Sequence, residues 1–407
     1  MKQPATSAVA EVAVVAVIAQ SLACATGVGL DSLAAVLAAG GSALTANAFT
    51  RSPLPAWVGV MADIEHTTLP PALRDWDCRA TRAAWLGLQA DDFITAVQAA
   101  CTRHGAARVG LVLGTSASTI GASELAYTQL ASDGGFPASL RNESLNTIHA
   151  VAHFVQQATG VQGPCVTVST ACSSSAKAFA QAQRWLQLGL ADAVVVAGVD
   201  ALCDSVLFGF AALGLVSAEP CRPFAANRQG ISIGEAAGFA LLERGQGDFQ
   251  LLGCGEANDA HHMSSPHPQG LGAEQALDAA LAQAALQAKD IDLVSLHGTA
   301  TPQNDAVEAA LVARRYRADV HASATKACTG HTMGAAGIVA ALTCGLALRH
   351  GLRAGTAHTA AADPALGPAF AQQLQLLPSN RPTRVAACHA FGFGGNNAVL
   401  LFGRGTA

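Results

Sequence analysis

Three residues could do chemistry together: one cysteine and two histidines, each in a turn of small side chains. Cys172 sits in Val166-Thr167-Val168-Ser169-Thr170-Ala171-Cys172-Ser173-Ser174-Ser175-Ala176. A β-branched run leads in, and a small-residue stretch leads out into a helical pattern. That puts the thiol at a strand-to-helix turn. Unpaired backbone N–H groups and the positive end of the helix dipole favour an anion there. The thiolate is the nucleophilic form, so the position predicts a lowered pKa. A lone free cysteine is more readily read as a small core side chain, and other residues must decide the matter.

His297 lies in Leu293-Val294-Ser295-Leu296-His297-Gly298-Thr299-Ala300-Thr301-Pro302, at the end of a strand pattern. Such a position faces the crevice beyond the strand ends. His331 lies in Lys326-Ala327-Cys328-Thr329-Gly330-His331-Thr332-Met333-Gly334, just ahead of a long helical pattern. Either histidine alone reads as structural. Both in small-residue turns, with Cys172 in a third, read as a site. A neutral imidazole can donate to a carbonyl oxygen or accept a proton. Lys326 reads either as a solvated loop lysine or as a group that orients a histidine or holds a carboxylate. Phe391-Gly392-Phe393-Gly394-Gly395-Asn396-Asn397 is a glycine-dense turn between two strand patterns. It is either a plain hairpin or a turn that offers backbone N–H groups to an oxyanion, with Phe393 as a movable cover.

The elements that must position these residues alternate. Strand patterns fall at 12–18, 108–114, 165–169, 193–197, 238–242, 293–296, 384–388 and 398–402. Helical patterns fall at 31–39, 83–100, 145–158, 173–188, 273–288 and 333–349. This alternation implies an α/β fold with sheets covered on both faces. The grammar of the first part restarts in the second, which hints at a duplicated unit. The run at 12–25 resembles a secretory signal, with Ala23-Cys24-Ala25 as a cleavage site. Its β-branched start and the preceding Glu11 favour a buried first strand.

Composition narrows the function. The chain has 407 residues, 51% hydrophobic and only 13% charged, which calls for two cores or one large layered one. The net charge of −5, without a Lys/Arg cluster, argues against a nucleic-acid partner. No apolar run reaches the roughly 18 residues of a membrane span. The 11 cysteines are scattered without a CxxC pair, which predicts free thiols and a cytoplasmic location.

Taken in order, Thr170-Ala171-Cys172-Ser173-Ser174, His297-Gly298-Thr299, Lys326 with Gly330-His331, and Phe391-Gly392-Phe393-Gly394-Gly395 resemble the β-ketoacyl-acyl carrier protein synthases. The resemblance extends to Arg222-Pro223-Phe224, Gly234-Glu235-Ala236-Ala237-Gly238, Asp259-Ala260-His261-His262-Met263, Pro266-His267-Pro268 and Asn304-Asp305. Gly114-Thr115-Ser116-Ala117-Ser118 and the stretch at 230–235 are most similar to the subgroup of aryl polyene pigment pathways. Three positions depart from the family pattern. Asn396-Asn397 stands for Thr-Asn, Ile231 for a frequent aromatic, and Ala340 for a glutamate near the catalytic lysine. Glu308 or Glu235 is the candidate substitute for that glutamate.

The resemblance implies a thiolase-like fold, two similar α/β halves layered α-β-α-β-α. Residues 1–248 would carry the nucleophile Cys172, and 249–407 would carry His297 and His331. It implies a decarboxylative Claisen condensation in fatty acid or polyene and polyketide synthesis, with Cys172, His297, His331 and Lys326 as catalytic residues. The backbone N–H groups of Cys172 and Phe393 would form the oxyanion hole. Phe391, Phe393, Ile231 and Thr115 would form the gate and acyl pocket, with 115–120 and 207–213 near them. No metal, nicotinamide or flavin cofactor is implied, because substrates arrive on the phosphopantetheine arm of acyl carrier protein. The partners implied are that acidic carrier and a second subunit, in a homodimer or a heterodimer with a chain-length factor. Arg74, Arg79, Arg82, Arg103 and Arg141 are candidates for a basic docking patch. Two rival readings are a thiolase and a non-elongating chain-length subunit. The two-histidine pattern argues against the first, and the presence of Cys172 against the second.

Overall fold

The computed structural model describes residues 14–131, 134–137 and 142–405. The first part of the chain forms β1 (Val15–Cys24), β2 (Gly27–Val28), β3 (Thr45–Ala46), β4 (Trp57–Gly59), β5 (Val109–Gly114), β6 (Cys165–Val168), β7 (Ala193–Asp200), β8 (Ile233–Gly234) and β9 (Ala236–Arg244). The second forms β10 (Gln250–Asn258), β11 (Leu293–Ser295), β12 (His321–Ser323), β13 (Val385–Gly392) and β14 (Asn396–Gly403). Among the described residues the long strands join in the order β12-β11-β13-β14-β10-β1-β9-β7-β5-β6, with β2 on β1. β3, β4 and β8 form a small separate sheet.

The connection pattern is used twice. β5 runs parallel to β6 and β7, β7 antiparallel to β9, and β9 antiparallel to β1. In the same way β11 runs parallel to β12 and β13, β13 antiparallel to β14, and β14 antiparallel to β10. The seam is short, with Val15 opposite Leu251 and Ala16 opposite Gln250.

Two helices lie between the half-sheets. Ser174–Gln187 packs on β5 and β7 and reaches across to β14 and β10. Ala336–His350 packs on β13 and β11 and reaches across to β9 and β7. It is apolar on every face and buried from Ala336 to Leu348, as a helix with no polar face must be. The stretch Met333–His350 is long and apolar enough to cross a membrane, but 89% of it is buried inside the fold. Outside, Arg79–Gln89, Phe93–His104 and Ala150–Thr159 share a core with β5, β7 and β9. Leu271–Ala284 and Pro302–Arg315 share another with β11, β13 and β14. The result is the expected α-β-α-β-α layering.

Several elements differ from the sequence expectation. The helix expected over 83–100 is two helices. Asp91 and Asp92 break it at positive φ (54° and 55°), and Asp91 turns its carboxylate to the N–H groups of Leu22 and Leu30. The helix expected from 145 begins at Ala150. The first strand is Val15–Cys24 and contains Ala23 and Cys24 of the cleavage-like triplet, with Ala25 in the turn that follows; positions 12 and 13 lie outside the described residues. β10 was not expected at all, because Gly253 and Gly255 interrupt its pattern. Those glycines let the helix Leu271–Ala284 sit directly on the strand. A Cβ at Gly255 would lie 1.8 Å from the carbonyl oxygen of Ala276, and one at Gly253 would lie 2.4 Å from that of Ala280. A backbone carbonyl cannot swing aside as a side chain can. Gly255→Ala is therefore expected to destabilise the protein by about 1–3 kcal/mol, read as a lower urea midpoint. An unchanged midpoint would show that strand and helix are not held at this distance.

Candidate active site

The nucleophile turn follows from β6. After Val168 the chain leaves the strand, and Ala171 takes the left-handed region at φ 52°. Ser174 Oγ accepts from the N–H of Thr170 and donates to the carbonyl of Ala171, which closes the turn. The helix Ser174–Gln187 starts two residues after Cys172. On the other side, a Cβ at Gly392 would come within 2.8 Å of the Thr170 carbonyl, so only glycine lets the turn after β13 approach this closely. Cys172 is thus buried between the start of a helix and the Phe391-Gly392-Phe393 turn.

The sequence position alone predicts a lowered thiol pKa. Burial instead pushes the Cys172 thiol up to about 11. The Lys326 ammonium and the backbone N–H groups of Phe393 and Cys172 pull the other way, toward the thiolate. Desolvation by burial outweighs these pulls.

Both histidines are fixed as neutral donors. His331 Nε2 lies 3.1 Å from Cys172 Sγ, while its Nδ1 accepts from the N–H of Met333 at 3.1 Å. That hydrogen bond assigns the remaining ring proton to Nε2. His297 Nδ1 lies 3.5 Å from Lys326 Nζ, which also donates to the His297 carbonyl. An ammonium has no lone pair to offer, so His297 Nδ1 accepts and its Nε2 carries the proton as well. Burial and the nearby Lys326 hold both imidazoles well below the usual histidine range. The rings meet edge to face, with centroids 5.6 Å apart.

Buried carboxylates hold the turns. Glu308 accepts from the N–H groups of His297 and Gly298, each at 2.7 Å. Asp305, three residues earlier on the same helix, accepts from Phe224 and Ala300. Asp200, at the end of β7, accepts from the N–H groups of Ser116, Ala117 and Gly334 and from the Thr115 hydroxyl. His331 is further clasped by the first half. Its N–H donates to Ser232, and its carbonyl accepts from Gly234. Cys172 and the histidines come from opposite halves and meet only where the halves pack.

A cavity of about 380 Å³ opens onto these groups. Phe391, Phe393 and Ile231 line it, and so do Phe210 and Leu213 of the 207–213 stretch. The Phe210 and Phe393 rings lie 5.7 Å apart across it. Thr115 does not line it; the Asp200 bond draws its hydroxyl into the buried network instead. Glu235 does not approach Lys326 either, because it is committed to Arg79 and to the N–H groups of Met61 and Leu202. Glu308 is the carboxylate whose charge favours the Lys326 ammonium most.

Arg79 pairs with Glu235 and Glu65, Arg82 with Asp77, Arg103 with Glu243, and the exposed Arg74 faces Asp75 at 3.8 Å. None of the four lines the cavity, and Arg141 lies outside the described residues.

Asp200, Asp305 and Asp259 were not foreseen as structural acids, although Asn304-Asp305 and Asp259 lie in the quoted motifs. Asp259 accepts from the N–H groups of His267 and Gly272 and from Asn397 Nδ2, which fixes the cavity rim.

Donor atoms of Cys172, His297 and His331 lie within 4.8 Å of one another, a spacing that a zinc ion accepts. The ring nitrogens do not fit one. Both Nδ1 atoms are already acceptors, so the free nitrogens present N–H rather than a lone pair. The arrangement is instead a small anion hole. A thiol and two imidazole N–H groups converge on one point, with a backbone N–H from the Phe393 turn beside the sulfur.

Comparison with known proteins gives the family. Residues 79–247 match the beta-ketoacyl synthase N-terminal domain family, and residues 249–360 match the corresponding C-terminal domain. Nodulation protein E of Rhizobium meliloti (strain 1021) is 34% identical over 314 residues, covering 74% of this chain and 77% of that protein. The 3-oxoacyl-[acyl-carrier-protein] synthase 2 of Staphylococcus aureus is 30% identical over 316 residues, covering 72% of this chain and 77% of that one. A solved complex of a ketosynthase (ApeO) with its chain length factor (ApeC) from Xenorhabdus doucetiae superimposes with a TM-score of 0.87 at 30% identity, over 98% of this chain and 100% of the matched chain. The chain belongs to the β-ketoacyl synthase family of condensing acyltransferases.

Proposed function

We propose that this synthase extends an acyl chain held on Cys172 by decarboxylative condensation with malonyl-acyl carrier protein. The observation that carries the reading is the convergence of the Cys172 thiol with two histidines locked as Nε2–H donors. In the first half-reaction the Cys172 sulfur attacks the acyl thioester, and the carrier's phosphopantetheine thiol leaves with the proton. The N–H groups of Cys172 and Phe393 take the developing oxyanion. In the second, malonyl thioester loses carbon dioxide. Its oxygen becomes an enolate held by the Nε2–H groups of His297 and His331. The enolate carbon then attacks the acyl-cysteine, and the Cys172 thiolate leaves. Lys326 holds His297 in the donor tautomer throughout. No separate cofactor enters this scheme.

We assign residues 1–248 to a first thiolase-like half and 249–407 to a second, and place the protein in the cytoplasm. The partners proposed are an acyl carrier protein and a related subunit, in a homodimer or a pair with a chain length factor. The 30% identity to the ketosynthase–chain length factor complex over nearly the whole chain favours the pair. An aryl polyene product is the pathway that the turn at Thr115 and the 230–235 stretch support.

Incubation with a panel of acyl carrier proteins, read by intact-protein mass, should add an acyl mass to the wild type and none to Cys172→Ala. A wild type that gains no mass with any donor sinks the reading. His297→Ala and His331→Ala each remove a preorganised donor, and each should lower malonyl decarboxylation about 100- to 1,000-fold. Both imidazoles are held neutral, so condensation should keep its rate as pH falls through about 6.5, the usual histidine value. An acid limb centred there would show that a histidine titrates normally. Ile231→Phe fills the cavity beside Phe210 and should shorten the longest product by one or more two-carbon units, as read by mass spectrometry. Unchanged product length would remove Ile231 from the chain-length limit.

A further inference from the structure

Behind His297 and Lys326 runs a second line of buried polar groups that neither half-reaction touches. The hydroxyl of Tyr316, just past the helix Pro302–Arg315, lies 2.9 Å from His389 Nε2. His389 stands in β13, and its Nδ1 lies 3.0 Å from Glu308 Oε1. The carboxylate only accepts, so Nδ1 carries the proton and Nε2 accepts from the tyrosine hydroxyl. Glu308 then takes the N–H groups of His297 and Gly298. All three side chains are sealed from solvent, at 6% exposure for Tyr316, 1% for His389 and 0% for Glu308. The Phe391 ring packs against the imidazole, with centroids 5.1 Å apart and planes tilted by 34°.

An apolar filling of this space would avoid the desolvation cost of three polar groups. What the polar line adds is a fixed carboxylate at the active-site turn. Position 340, where related synthases often have a glutamate, is Ala340 in a helix buried on all sides. We propose that Tyr316 and His389 are positioning residues for the carbon–carbon bond-forming half-reaction. On the synthase reading above, they hold Glu308 where it pins the His297-Gly298 turn and faces Lys326, a place that Ala340 cannot serve. The titratable and charged groups around this line are Asp305 and Arg315 on the same helix, His297 and His331 at the turns, Cys388 in β13, and, facing Lys326 from the first half, Cys172 and Cys221.

The test compares full-length wild type, Tyr316→Phe and His389→Gln in the two half-reactions separately. Acyl loading of Cys172 from octanoyl-carrier protein is read by intact mass. Condensation with malonyl-carrier protein is read from about pH 6 to about pH 10. Condensation should fall roughly five- to tenfold in each variant, while acyl loading stays within about twofold. The alkaline limb should move to lower pH. Burial already disfavours the Lys326 ammonium, and a displaced Glu308 supports it less. His389→Asn, which keeps an N–H for Glu308, should restore most of the rate. Unchanged condensation with an unmoved alkaline limb overturns the proposal. So does an equal fall in both half-reactions that tracks a lowered melting temperature, the mark of a merely structural role. If His389→Gln does not fold, Tyr316→Phe, which removes one oxygen atom, carries the test. A wild type that never loads Cys172 is a different failure, and removes the synthase reading itself.

Discussion

The structure depends on buried carboxylates that satisfy the backbone of its turns. A site at the ends of sheet strands is made of irregular chain, and irregular chain buried under helices leaves N–H groups without partners. Each such group costs about 1–3 kcal/mol if unpaired. Asp200, Glu235, Asp305 and Glu308 answer that need, each accepting from at least two N–H groups around the cavity. A carboxylate suits the task because it accepts several bonds at once and strengthens each by its charge. The cost is a buried charge. Asp305 shows it, pushed up to about 7 by burial and by its neighbour Glu308.

These clamps also join the two halves. Asp200 belongs to β7, yet it holds Gly334 beside His331. The Ser232 to Gly234 segment belongs to the first half, yet it forms a bridge with His331. Cys172 and His331 therefore meet at 3.1 Å between turns that are tied both within each half and by hydrogen bonds across the seam. The tautomer lock rests on this arrangement, because the Met333 N–H that fixes His331 lies in the same clasped turn.

The reacting groups were readable from the sequence because small-residue turns around a cysteine and two histidines are unusual, and the strand patterns beside them are short and β-branched. The clamps were not. Asp200 looks like an ordinary strand-end acid until burial is known, and no local pattern marks burial of a single charge; Glu308 is legible as a partner for Lys326 but not as the acceptor for the His297-Gly298 turn. Thr115 read as pocket lining from its position, but a carboxylate behind it captured the hydroxyl. The thiol pKa was misread because the helix terminus is visible in sequence and desolvation is not. Gly253 and Gly255 hid β10, since strand propensity counts glycine as a breaker while a close-packed helix requires it.

The buried helix Ala336–His350 has a consequence for how the chain folds. It comes from the last fifth of the sequence, yet it covers surface on β7 and β9, which are complete about a hundred residues earlier. During synthesis the first half must wait with an apolar face open until this helix leaves the ribosome. The waiting sheet and the arriving helix are both sticky, and both lack their partner at that moment. A chain stopped between β9 and this helix would therefore expose that apolar face, the surface on which such intermediates aggregate.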